Sequence, residues 1–328
     1  MHQRPLGRTG RRVTSVGYGA WAIGGLGYGD QDERQAFEAI DAYLEGGGRF
    51  MDTARGYGVS EILIGRRLRA FPRADEVFVA SKSGSTHPPI IRTDLETSRF
   101  CLQRDALDLY YIHVPPRDPD GLRRLLDVYQ ALKDAGGTRL VGVSCPRIET
   151  PDDADLVRRS IQDGRVDVLQ MAFSMAETEA GPLIAEASGR GIAVVARMNL
   201  LGGLLTGKYK PGHVFADRAN DWRASIPQDP LDEVLRIVGD LAARFVRPPY
   251  ETLAQVALGF ALAAPGVSAI IPGGRSAAQV RANLSIDGLP PLEPAVVKDL
   301  AAAAAPIGAV LAEARRARRG DERSARPT

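Results

Sequence analysis

The chain of 328 residues is short of cysteine, lysine, tryptophan and histidine. Its two cysteines, Cys101 and Cys145, make no disulfide framework, and no Cys/His cluster has zinc spacing. No apolar run approaches the roughly 18 residues of a membrane helix, and the N-terminus MHQRPLGRTGRR lacks a signal peptide's apolar stretch. These absences predict a cytoplasmic protein with no membrane and no metal. A charge excess of one sign is also lacking. Six arginines against Asp321 and Glu322 give the segment 314–328 a charge of +4 within an overall +2, which leaves −2 on the rest. A nucleic-acid partner needs a basic face on the folded part, so none is expected. The basic segment is expected to be a flexible tail beyond a domain spanning 1–313.

What is present is a repeated alternation. Apolar, β-branched runs at 15–20, 49–54, 77–82, 107–113, 139–145, 166–173, 191–198 and 267–273 are separated by amphipathic helical patterns with Asp or Pro at their starts and Gly at their ends. After the seventh run come a long loop over 199–230, two helices at 231–245 and 249–264, and after the eighth run a last Ala-rich helix over 294–317. Eight strands alternating with helices predict a single-domain (β/α)8 barrel, with an N-terminal β-hairpin and extra C-terminal helices. A doubly wound sheet is the alternative, but it opens on a GxGxxG turn, and GLGYGD at 25–30 fails at the last position.

In such a barrel the chemistry lies where the strands end. The second run ends at Asp52 with Tyr57 just beyond, the third at Lys82 and the fourth at His113. Each has a structural reading: an ion pair, a helix cap, a turn tyrosine, a core histidine. Five lysines against 37 arginines make a lysine at a strand end notable. The four together suit proton transfer to a carbonyl. A phenol holds its proton at neutral pH, an ammonium stabilises the phenolate, a carboxylate fixes the ammonium, and an imidazole orients the carbonyl oxygen. A hydride source is then required, which implies a nicotinamide cofactor. A Schiff-base aldolase using Lys82 is a second barrel chemistry. GGLLTGKY at 202–209 nearly spells a P-loop, but Tyr209 stands where the Mg²⁺-binding hydroxyl belongs.

The segments RPLGRTGRRVTSVGYGAWAIGG, FMDTARGYGVSE, VASKSG, LDLYYIHVP, RLVGVS, VLQMAFS, GGLLTGKY and AIIPGGRSAAQVRANL span about residues 4 to 285. In order and spacing the chain resembles the aldo-keto reductases, in their bacterial NADP-dependent branch. The resemblance implies a catalytic tetrad of Asp52, Tyr57, Lys82 and His113, with Tyr57 as proton donor. It implies Ser144 and Gln170 at the nicotinamide carboxamide, and Gly19, Ala20 and Trp21 beside the ring. It implies Gly202, Gly203, Leu204 and Lys208 over the pyrophosphate, and Gly273, Arg275, Gln279 and Asn283 at the adenosine end. Arg275 suits a 2′-phosphate, so the expected cofactor is NADPH/NADP⁺. Two positions depart from the family pattern. Cys145 replaces an Asn that contacts the carboxamide. Arg197 replaces an aromatic that stacks on the nicotinamide; a guanidinium plane also stacks, and its charge would favour the reduced, neutral ring.

Trp21, Tyr57, His113 and Trp222 are the candidate substrate walls, with the loop 210–230 folding over them and Phe215 either closing on substrate or packing the loop. The expected function is NADPH-dependent reduction of an aldehyde or ketone as a small-molecule carbonyl substrate, in a protein that could form a homo-oligomer. A cofactor-binding regulatory or sensor protein on the same fold, and an aldose or alcohol dehydrogenase working oxidatively, remain open.

Overall fold

A computed structural model describes residues 1–28, 31–217 and 219–324, with side chains through residue 317. A hairpin of β1 (Gln3–Pro5) and β2 (Arg12–Thr14) comes first. Eight parallel strands follow: β3 (Tyr18–Gly19), β4 (Phe50–Asp52), β5 (Phe78–Ser83), β6 (Leu109–Ile112), β7 (Val141–Ser144), β8 (Val168–Ala172), β9 (Ala193–Arg197) and β10 (Val267–Ile270). They hydrogen-bond in chain order. Parallel bridges Val16↔Ile270 and Gly19↔Gly273 join the two ends, and the Gly17 amide donates to Ile270 O at 2.7 Å, so the sheet closes on itself. The expected (β/α)8 barrel is the architecture found.

The helices are α1 (Glu33–Glu45), α2 (Ser60–Ala70), α3 (Pro88–Leu102), α4 (Pro119–Asp134), α5 (Pro151–Gln162), α6 (Gly181–Gly189), α7 (Gln228–Phe245), α8 (Leu253–Ala263), α9 (Ala277–Leu284) and α10 (Pro294–Ser324). Their starts follow the cap chemistry in the sequence. Asp32, Asp118, Thr150 and Thr252 each accept from the backbone amide three residues on, and proline opens α3, α4 and α5.

Two apolar layers hold the barrel. Inside it, Phe50, Phe78, Leu109, Tyr111, Val168, Val195 and Ala269 pack together, and Leu6 and Val13 of the hairpin join them, closing one end. Outside, the helices bury their apolar stripes against the strands in one larger cluster. Side chains that fill the closed barrel leave the opposite end for chemistry.

The last helix, expected over 294–317, is found and reaches Ser324; residues 325–328 lie outside the described residues. Leu300, Ala304, Ile307 and Leu311 form a buried stripe at helical spacing, and Arg315 continues it into a polar cluster. At Gly308 a Cβ would stand 2.1 Å from Ala176 O, so glycine lets α10 lie directly on the β8–α6 loop. The span Pro294–Ala317 is long and apolar enough by composition to cross a bilayer, although Lys298, Asp299 and Glu313 interrupt its apolar run, and here it packs on α7.

Candidate active site

The C-terminal ends of β4 and β5 bring Asp52 and Lys82 side by side. Lys82 Nζ donates to Asp52 Oδ1 at 2.5 Å and to Thr53 O at 2.7 Å. Both side chains are shut from solvent, 0% exposed for Lys82 and 2% for Asp52. The carboxylate's second oxygen accepts from Gln170 Nε2 at 2.8 Å, from the end of β8. Burial pushes the Asp52 carboxyl upward, and Lys82, Gln170 and Arg197 pull it back down. A buried ion pair survives only when its remaining lone pairs are hydrogen-bonded, and this one has that support.

Tyr57 sits in the tight turn between β4 and α2, where Tyr57 N donates to Ala54 O and Gly58 adopts φ +55°. Its ring lies over the pair, with Lys82 Nζ 5.0 Å from the ring centre. The Tyr57 hydroxyl is 3.5 Å from His113 Nε2, just past the end of β6. Burial, then the charges of Lys82 and Arg197, push the His113 imidazole down to about 3. His113 is therefore neutral at physiological pH. The structure thus brings the four tetrad candidates together: Asp52, Tyr57 and His113 line the cavity, and Lys82 lies beneath them.

The cavity is about 1150 Å³ and occupies the open end of the barrel. It exceeds the roughly 300–1,000 Å³ of ordinary ligand pockets, leaving room for a dinucleotide and a substrate together. Gly19, Ala20, Trp21, Ser144, Cys145, Gln170, Arg197, Gly202, Gly203, Lys208, Gly273, Arg275, Gln279 and Asn283 all line it. Leu204 does not: its side chain belongs to the apolar core, because the turn carrying Gly202 (φ +67°) and Gly203 (φ +92°) points it inward.

Several of these side chains are tied to the protein. Ser144 Oγ lies 3.5 Å from Gln170 Oε1. Gln279 Oε1 accepts from the Arg275 amide at 2.8 Å and Asn283 Nδ2 donates to Gly273 O at 3.0 Å, so both brace the loop after β10. The Arg275 guanidinium bonds Gln31 Oε1 at 2.8 Å and also reaches Tyr28 O. Arg197 Nη2 donates to Cys145 O at 2.9 Å. The Cys145 thiol turns into the core, where burial pushes it up to about 12.

The long loop crosses the cavity. Trp222 packs against Gly202, where a Cβ would stand 2.4 Å from its ring, and its amide donates to Gly27 O. Arg223 bonds Asp221, Gly202 O and the Tyr209 hydroxyl. Phe215 packs on Tyr209 and under the Arg223 guanidinium, and it lies outside the cavity lining. Of the two roles open to Phe215, packing the loop is the one found.

The aldo/keto reductase family model matches residues 15–305. The chain belongs to this family. It is 29% identical over 306 residues to the aldo-keto reductase YhdN of Bacillus subtilis, covering 88% of this chain and 89% of the relative. It is 29% identical over 320 residues to the NADH-specific methylglyoxal reductase of Escherichia coli, covering 87% and 93%. Among solved structures, the glycerol dehydrogenase AKR11B4 of Gluconobacter oxydans superposes with a TM-score of 0.77 at 25% identity, covering 93% of this chain and 96% of the other.

In this aldo/keto reductase the sequence reading missed four groups. Tyr111 also lies near Lys82, 5.5 Å from ring centre to Nζ, with its hydroxyl buried. Asn199 lines the cavity with a buried, unbonded Oδ1, an acceptor suited to an amide donor. Arg147 and Arg315 line it beyond Cys145. Tyr111 sits inside an apolar run and Arg315 in a stretch read as tail, so neither signals its place.

Proposed function

We propose that this protein reduces aldehydes or ketones with NADPH, Tyr57 donating the proton. The observation that carries the reading is His113 held neutral within 3.5 Å of the Tyr57 hydroxyl, above the buried Lys82–Asp52 pair. A neutral imidazole gives up no proton near neutral pH, but its N–H orients a carbonyl oxygen. That leaves the phenol to protonate the oxygen, and the ammonium below it favours the phenolate that results. Asp52 holds the ammonium in place, and Gln170 holds Asp52.

The residues fit a nicotinamide cofactor. Ser144, Gln170 and the open acceptor of Asn199 would take the carboxamide, the glycine turn at 202–203 with Lys208 the pyrophosphate, and Arg275 a 2′-phosphate. Bound there, the cofactor supplies the hydride. The charge of Arg197 at the same end of the site favours the reduced, neutral ring over the cationic one.

The test is fluorescence titration with NADPH and NADH, then turnover of an aldehyde and ketone panel followed by cofactor absorbance. Tyr57→Phe is expected to keep cofactor affinity and lose about 10²–10⁴ of the rate. Arg275→Ala is expected to weaken NADPH more than NADH. Substantial turnover by Tyr57→Phe would refute the donor assignment, and equal loss in Arg275→Ala would refute the 2′-phosphate contact.

A further inference from the structure

The end of β5 is held from both of its faces. Inside the barrel Lys82 donates to Asp52 and to Thr53 O. Its neighbours Ser81 and Ser83 face the helices instead, as alternation along a strand requires. The Ser81 hydroxyl donates to Glu61 Oε1 of α2 at 2.6 Å, and the Ser83 hydroxyl to Asp94 Oδ2 of α3 at 2.5 Å. Each serine beside the lysine is thus fixed by a carboxylate from a different helix.

Glu61 has a second bond. Its side chain is 1% exposed, and Oε2 accepts from Arg55 Nη1 at 2.5 Å. Arg55 belongs to the turn that carries Tyr57, and its amide donates to Lys82 O at 3.0 Å. One buried carboxylate therefore joins the Tyr57 turn, the first turn of α2, and β5 at the residue before Lys82. The hydroxyls of Thr53 and Ser60, 2.5 Å apart, close the same turn from end to end. None of Arg55, Glu61, Ser81 and Asp94 lines the cavity. Burying a carboxylate is costly, and packing alone does not require one here. What it provides is two charge-assisted bonds, each roughly twice as strong as a neutral one.

We infer that Glu61 is a positioning residue for the reaction: with Arg55 and Ser81 it sets, from outside the barrel, how the Tyr57 hydroxyl stands over Lys82 and toward His113. The inference rests on the reductase reading and adds to it a residue that acts through Tyr57. Glu61 touches neither substrate nor cofactor. A reacting group misplaced by about 1 Å loses on the order of 10²-fold in rate, so a looser turn slows proton transfer without changing the binding surfaces.

The test is Glu61→Gln, which keeps the size of the side chain but turns an amide toward one of the two donors. With the best aldehyde or ketone of the panel, kcat per NADPH-binding site is expected to fall about tenfold or more. KM and NADPH affinity are expected to stay unchanged. The solvent deuterium isotope effect on kcat is expected to rise, because proton transfer becomes the slow step. Arg55→Lys is expected to retain more of kcat than Arg55→Met. Counting sites by NADPH titration keeps a partly unfolded sample from imitating the result. An isotope effect equal to that of the unaltered protein overturns the inference whatever the rate, since a merely structural role lowers the number of sites and leaves the slow step alone. If the unaltered protein turns over no carbonyl, the reductase reading falls. Deuterium exchange of the 53–60 amides, read by mass spectrometry, then decides the brace alone. Faster exchange in Glu61→Gln confined to that turn supports it; exchange that is unchanged, or raised across the whole chain, overturns it.

Discussion

Gln170 donates to the Asp52 oxygen that Lys82 leaves free, at 2.8 Å. This neutral amide completes the shell of a buried carboxylate. Removing it strands an acceptor without water. Gln170→Ala is expected to cost about 1–3 kcal/mol of stability, read from urea unfolding, in addition to any loss of cofactor affinity. Unchanged stability would mean that Asp52 does not depend on this bond.

Lys82→Met leaves Asp52 buried without its ammonium partner. Breaking such a pair from one side costs about 3–5 kcal/mol, so a lower unfolding midpoint is expected together with loss of turnover at every pH tested. Asp52→Asn added to Lys82→Met is expected to recover part of the stability and none of the activity. A double variant no more stable than the single one would contradict the pairing.

His113 gives a pH dependence with a definite sign. Its folded value of about 3 lies below the ordinary 6.5. Between these the unfolded chain binds a proton that the folded one does not, so this group lowers stability as pH falls from about 6.5 toward 3. Above that window it contributes no slope. Urea midpoints at neutral pH and in mid-window are expected to differ more for the unaltered protein than for His113→Gln. Equal shifts would show that the imidazole protonates in the folded state.

Cys145 stands beside the cavity with its thiol in the core, pushed up to about 12. It is expected to resist thiol-disulfide reagents at neutral pH and to react on unfolding, as read by peptide mapping. Fast modification of the native protein at Cys145 would place the thiol in the cavity.

The strand ends were legible because a charged group closing an apolar run has no packing reason to be there: Asp52, Lys82 and His113 stand out on that ground. Tyr57 followed from its turn. The eight strands and the closed barrel followed from the βα alternation, although the runs overstate strand length, 15–20 against Tyr18–Gly19. The inward turn of the Leu204 side chain was not legible, because a spacing match does not say which way a side chain turns when glycines of positive φ precede it. The place of Arg315 in the cavity wall was hidden for another reason. Arg315 and Glu149 are 166 positions apart and meet only because α10 folds back over the β7–α5 and β8–α6 loops. No local pattern carries such a contact.

Gly308 ties these parts together. Because α10 touches Ala176 O where any side chain would intrude, the missing methyl group sets how far Arg315 reaches into the cavity. The tetrad candidates, by contrast, stand at the ends of β4, β5 and β6 and in the turn after β4. A substitution on the outside of the molecule can therefore reshape the cavity wall without altering a residue of β4, β5 or β6.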